Sequence, residues 1–242
     1  MSVRDSSAFS DTLYSLLYPD GIENNWWNWA RNRVILYYMN KFRQEPLLDV
    51  GCGRGVVTCF LKSHGWNVEG IELGNTTPLC EGNFYYGRDI FSLPEEKRQQ
   101  FRSVSLFDVI EHIDDPVVFL AEIRRFFRSL KYVYITVPAR MELWSRFDDD
   151  VGHKRRYTLK SLSEHADLSG YSVVFSRYFF HSLYLPIMLL KSRRSAKMSV
   201  PRSSLFLLLH RLVGFFFFVE GIILPGKIPG SSIFAIFEPK KF

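Results

Sequence analysis

Residues 47–55, LLDVGCGRG, constrain the fold more than any other stretch of this chain. A short apolar run meets Asp49, Gly51, Gly53 and Gly55 alternate, and a helix-compatible VVTCFLKSH follows, closed by Gly65. Glycine reaches positive φ at no steric cost and lets backbone approach a ligand closely. A buried strand that turns through such glycines into a helix opens a βαβ unit. Right-handed crossovers and a helix-covered sheet then follow.

The rhythm continues along the chain. Strands are predicted at 66–73, 83–90, 103–110 and 131–138, the last rich in β-branched and aromatic residues. Between them lie a short helix opened by Pro94 and a longer one from Asp115 to about Leu130. Residues 139–157 form a polar stretch too long for an ordinary connection, which marks function or disorder. A capped helix follows, with Thr158 as N-cap and Gly170 past its end, then strands at 171–180 and 231–241. The expected fold is α/β: a doubly wound, mostly parallel seven-stranded sheet. Residues 1–242 read as one domain, with a helical extension over 1–45 (an aromatic-rich helix at 24–42) and an apolar, basic helical insertion over 181–231.

Charge and cysteine content narrow the partners. The formal net charge is +6, but residues 191–242 hold nine basic groups against two acids, a net +7. The first 190 residues therefore sum to −1. A nucleic-acid enzyme spreads basic groups around its cleft, so no nucleic acid is expected. The first twenty residues lack the apolar core of a secretory signal, and three cysteines cannot form a disulfide framework. A reducing, cytoplasmic setting is the expectation, with the cytoplasmic membrane face as the second option. Cys52, Cys59 and Cys80 have no histidine at ligand spacing, so no metal is expected.

The glycine turn also discriminates between ligands. A dinucleotide-binding turn needs G-x-G-x-x-G, but its third glycine position holds Val56. The carboxylate of Asp49 would repel a pyrophosphate and suits a ligand carrying an ammonium and a sulfonium, which is S-adenosylmethionine. Glu72, ending the second strand, is placed for ribose hydroxyls. Asp89, ending the third and followed by Ile90, suits an adenine amine beside an aliphatic wall. Singly each acid has a capping or surface reading; three at successive strand ends are harder to dismiss.

With these residues in view, the chain resembles class I S-adenosylmethionine-dependent methyltransferases, particularly the ubiquinone- and menaquinone-biosynthesis branch. LLDVGCGRG is similar to that family's first motif, FDVIEHIDDP (107–116) to its fourth-strand motif, and 137–158 to the segment after its fifth strand. The resemblance implies a cofactor site of Asp49, Gly51, Cys52, Gly53, Gly55, Glu72, Leu73, Asp89, Ile90, Asp108 and Val109. It places His112 on the reacting side as a proton acceptor or positioning group, with Glu111 beside it. Trp144, His153, Arg155, Arg156 and Tyr157 become acceptor-binding candidates, the alternative being a solvated charge run. IELGNTTP departs from relatives that carry Asp and a hydroxyl residue after the second strand.

The implied activity is O- or C-methylation of a small-molecule or lipid-linked acceptor. The competing reading is a non-catalytic, membrane-associated scaffold that keeps the fold. Residues 181–225 join an apolar stretch, including Phe215–Phe218, to the basic KSRRSAKMSVPR. Arg211 and Glu220 interrupt the apolar run, which makes it a poor spanning helix. Packing on the core, a homodimer contact and an in-plane membrane contact all fit it.

Overall fold

Seven strands make one sheet in the order β3-β2-β1-β4-β5-β7-β6. The computed structural model describes residues 17–190, 200, 201 and 203–241. The strands are β1 (Leu47–Val50), β2 (Val68–Glu72), β3 (Phe84–Tyr86), β4 (Ser103–Phe107), β5 (Tyr132–Pro138), β6 (Tyr171–Phe179) and β7 (Ser232–Pro239). The pairings β3–β2, β2–β1, β1–β4 and β4–β5 are parallel, while β7 runs antiparallel between β5 and β6. This is the expected doubly wound sheet, with the helical insertion before its last strand.

Helices cover both faces. One face carries α1 (Trp26–Met39) and α2 (Val56–Ser63); the other carries α4 (Pro116–Phe126) and α6 (Leu159–Leu168), with the single turn α3 (Glu95–Arg98) before β4. The strands show the two-residue period of a sheet buried on both sides. Val133, Ile135 and Val137 of β5 join the core with Leu120 and Ile123, whereas Tyr134 faces Val34 and Ile35 of the opposite core. β7 alternates likewise, Ile233, Ala235 and Phe237 against Phe234 and Ile236.

Four local expectations change. β3 ends at Tyr86, so Asp89 is no strand end; it caps a 3-10 turn, its Oδ1 accepting from Phe91 N at 2.7 Å. Residues 139–157 are not one open loop: a 3-10 turn, Met141–Leu143, precedes the short helix α5 (Arg146–Asp150), which Ser145 and Asp148 close with a capping box. The helix after Asp115 stops at Phe126 rather than near Leu130. Finally, the reading of the cysteines as thiols is corrected: Cys59 of α2 and Cys80 of the β2–β3 loop form a disulfide, leaving Cys52 free and buried.

The insertion contains α7 (Tyr184–Leu190) and the 20-residue α8 (Ser204–Ile223). The basic residues Lys191, Arg193, Arg194, Lys197 and Arg202 lie outside the described residues. α8 packs along α1 through its glycines. A Cβ on Gly214 would meet Trp29 at 2.9 Å, and one on Gly221 would meet Val34 at 2.9 Å. His210 Nδ1 accepts from Trp26 N at 3.1 Å at the start of α1, and buried Glu220 accepts from the backbone N–H groups of His181 and Ser182. Both charge-bearing interruptions of the apolar run are thus accounted for: Glu220 caps a turn inward, and Arg211 is exposed.

Candidate active site

Strand order reverses at β1, between β2 and β4, which defines the switch-point crevice expected beyond the carboxyl ends of these strands. Open α/β sheets bind ligands at this switch point. The glycine turn forms its floor. Gly51 and Gly53 have φ of +69° and +54°, and Gly55, at +82°, leads into α2. A Cβ on Gly51 would lie 2.8 Å from Val109 Cγ2, and one on Gly53 would lie 3.0 Å from the ring of Tyr18. Backbone angle and close approach both exclude larger residues here.

Three carboxylates surround this turn in different ways. Glu72 accepts from Gly53 N at 2.9 Å and from Gly74 N at 3.2 Å, so it is aimed by the turn itself. Asp49 is buried instead. Its Oδ2 accepts from Thr58 Oγ1 at 2.6 Å and its Oδ1 from Ser105 Oγ at 2.8 Å. Burial raises its pKa to about 6 against the opposing effect of these hydroxyls. Both Asp49 oxygens are therefore engaged inside the fold, and the group reaches the surface of the turn through its field rather than by contact. Asp108 follows β4 with φ +58°, a left-handed conformation tolerated by Asp at some cost. Arg31 Nη2 holds it at 2.6 Å, and Thr136 Oγ1 donates to it at 3.0 Å.

Sequence reasoning missed Arg31, Tyr18 and Tyr86 here. Arg31 is 4% exposed on α1, reaching the crevice from outside the family motifs. Tyr18 lies over Gly53, and Arg54 Nη1 donates to its carbonyl at 2.9 Å. Burial first, then the charge of Glu72, raise the pKa of its phenol. The hydroxyl of Tyr86 is buried without a partner, close enough to Cys52 and Glu72 for their charges to raise its pKa further after burial. An orphaned hydroxyl beside an aimed carboxylate fits a ligand with ribose and amine groups. The remaining expected positions split: Cys52 is buried beside Gly70, Ile90 is core, and Leu73 is 37% exposed.

A second cluster follows β4. Glu111 is fully buried and neither carboxylate oxygen has a hydrogen-bond partner. Burial, then Asp108, push its pKa well up. His112 is held neutral, its pKa lowered to about 4 by burial and by His153. With Nδ1 donating to Gly152 O at 3.3 Å, its Nε2 keeps the lone pair. His153 Nδ1 bonds Asp148 Oδ1 at 2.7 Å, while its Nε2 lies 3.9 Å from Glu111. Ligand atoms of Glu111, His112 and His153 lie within 4.8 Å of one another, the one such convergence among the described residues. No sequence spacing announced it, because His153 comes from a segment 41 positions away.

The other acceptor candidates make hydrogen bonds within the fold. Arg156 forks onto Asp148 (Nε–Oδ1 2.8 Å, Nη2–Oδ2 3.0 Å), both buried, and donates to Ala139 O at 3.0 Å. His153 and Arg156 hold the Asp148 carboxyl well below the usual range against the effect of burial. Tyr157 is 1% exposed and donates to Ile110 O at 3.3 Å. Trp144 Nε1 donates to Asp149 at 3.0 Å, and Arg155 donates to Asp114 O at 2.9 Å. The structure brings His153 to Glu111 and His112, and it does not gather the other four into that cluster.

A methyltransferase-domain family model matches residues 29–176. The ubiquinone biosynthesis O-methyltransferase of Pseudomonas fluorescens (strain Pf0-1) is 31% identical over 114 residues, 43% of this chain and 45% of that protein. The chain thus spans less than half the length of the curated relatives it matches. Among solved structures, a SAM-dependent methyltransferase from Archaeoglobus fulgidus aligns with a TM-score of 0.51 at 20% identity, over 86% of this chain and 94% of that one. The Burkholderia thailandensis 1,6-didemethyltoxoflavin-N1-methyltransferase, solved with S-adenosylhomocysteine, aligns at 0.53 and 15% identity, over 96% and 86%.

Proposed function

Because this chain belongs to the methyltransferase-domain family, we propose that it moves a methyl group from S-adenosylmethionine to a hydroxyl of a small-molecule acceptor. The observation that carries this reading is the Gly53–Glu72 bond at the switch point: it aims a carboxylate along a glycine turn held at positive φ. S-adenosylmethionine supplies an electrophilic methyl on a sulfonium, which an acceptor oxygen attacks in line as the carbon–sulfur bond breaks.

The chain's own residues do the rest. Glu72 accepts from the ribose hydroxyls, Tyr86 meets a polar edge, and the glycine backbone lies against the amino-acid moiety. The field of Asp49 and Asp108 favours a cation. His112, neutral at physiological pH, stands on the acceptor side; its lowered pKa makes it a weak base, sufficient to take the proton that the methylated oxonium releases. Hydroxyl methylation is favoured over carbon because a neutral imidazole and a buried carboxyl stand together, and because the curated relatives are named O-methyltransferases.

The convergence of ligand atoms favours a second reading of that cluster. Glu111, His112 and His153 would hold a divalent cation, whose chemistry is to lower the pKa of a bound hydroxyl. Manganese titration followed by electron spin resonance, run on the wild type and His153→Ala, separates the two: binding that the variant loses supports the ion site, and equal titration of both removes it. Titration calorimetry with S-adenosylmethionine tests the main reading. Wild-type protein should bind and Gly53→Val should not; equal binding by the variant would remove the site assignment.

A further inference from the structure

α8 presents two unlike faces. Gly214, Phe217, Glu220 and Gly221 face inward, where Phe217 packs on Trp26 and Phe180 with ring centroids 5.0 and 5.6 Å apart. The opposite stripe carries Leu205, Leu208, Leu212, Phe215, Phe216 and Ile223, each more than half exposed. Together they exceed the ~300–600 Å² apolar patch of an ordinary monomer. At ~1.5 Å per residue the stripe runs about 30 Å along one side of the molecule.

Cations sit at its rim. Arg211 is exposed, one turn from Gly214, beside which Trp29 packs. Arg33 stacks over Trp29 at 3.5 Å from the ring centroid, and Arg211 is close enough to repel it. Among the described residues neither joins an ion pair. A tryptophan with arginines at the edge of an apolar band is the arrangement of a membrane–water boundary.

We propose that α8 lies in the plane of an anionic phospholipid bilayer, its Leu/Phe stripe among the acyl chains and Arg33 and Arg211 on headgroup phosphates. α8 is long and apolar enough to cross a membrane, but its contacts with α1 at His210, Gly214 and Gly221 and the turn capped by Glu220 tie one face to the domain, which favours the in-plane placement. A second copy of the chain fits the charge poorly. Two-fold pairing of the stripe would set Arg33 and Arg211 of one copy near those of its mate, whereas phosphates neutralise them. The net +7 of residues 191–242 acts in the same direction. This inference is independent of the methyl-transfer reading.

The test is cosedimentation of the full chain with vesicles, either phosphatidylcholine alone or two parts phosphatidylcholine to one part phosphatidylglycerol. Wild-type protein should pellet with the anionic vesicles at low salt and be released as salt rises. Arg211→Glu, a change of two charges, should weaken binding about thirty-fold. The paired change Leu212→Asp and Phe216→Asp should abolish it with an unchanged melting temperature, since both side chains are exposed. Failure of the wild type to bind anionic vesicles, or equal binding to neutral ones, overturns the proposal. So does a solution dimer that the paired change disperses while vesicles are ignored.

Discussion

Asp49 shows why residue chemistry and residue position must be considered together. It is 2% exposed, yet it stands below the turn proposed to hold a cationic cofactor. A carboxyl whose folded pKa is raised holds its proton more tightly when folded, so its contribution to stability is lost as pH rises from about 4 to about 6. Above pH 6 the ionised group costs about 3 kcal/mol relative to an uncharged one. Asp49→Asn should therefore be more stable than wild type in urea unfolding at pH 7, with the advantage gone below pH 4. The cofactor affinity of the wild type should rise with pH through about 6, and that of the variant should stay flat. His112→Ala should lower turnover while cofactor affinity and melting temperature hold; a matching loss of stability would make His112 a packing residue.

At the scale of elements, α5 and the segment after it behave as a strut. Asp148 closes the capping box of α5, orients His153 and takes the fork of Arg156 in one buried network. Because its folded pKa is depressed, the stabilisation is present above the unfolded carboxylate range and is lost as pH falls below it. Removing one partner leaves the other charge buried, so Arg156→Met should cost about 3–5 kcal/mol. It should also displace His153 from Glu111 and thereby lower activity beyond the effect on folding. Thermal melts and turnover measured below the melting transition check both parts.

Across the whole molecule, charge and apolarity divide between a nearly neutral catalytic body and a basic, apolar insertion. At the proposed cofactor site, the nearby charges of Asp49 and Arg31 are buried and Glu72 is half-buried, so salt screens them weakly. Cofactor affinity should then change little between low and physiological salt, measured by calorimetry. A strong salt dependence would relocate the controlling charges to the surface.

Local pattern alone determined the sheet, the glycine turn and the carboxylate at the end of β2. These rest on a two-residue period, on positive φ that only glycine adopts freely, and on the fixed geometry of a strand end. The same pattern extended β3 too far, because apolar residues continue to Ile90 while Asp89 diverts its side chain to Phe91 N. Tertiary structure alone decided the meeting of His153 with Glu111 and His112, the approach of Arg31 and Tyr18 to the crevice, and the pairing of Cys59 with Cys80. It also turned Arg156 and Tyr157 inward, where a charge run read as exposed. Each of these joins residues distant in the chain, and no local period encodes which face of one element will meet which end of another.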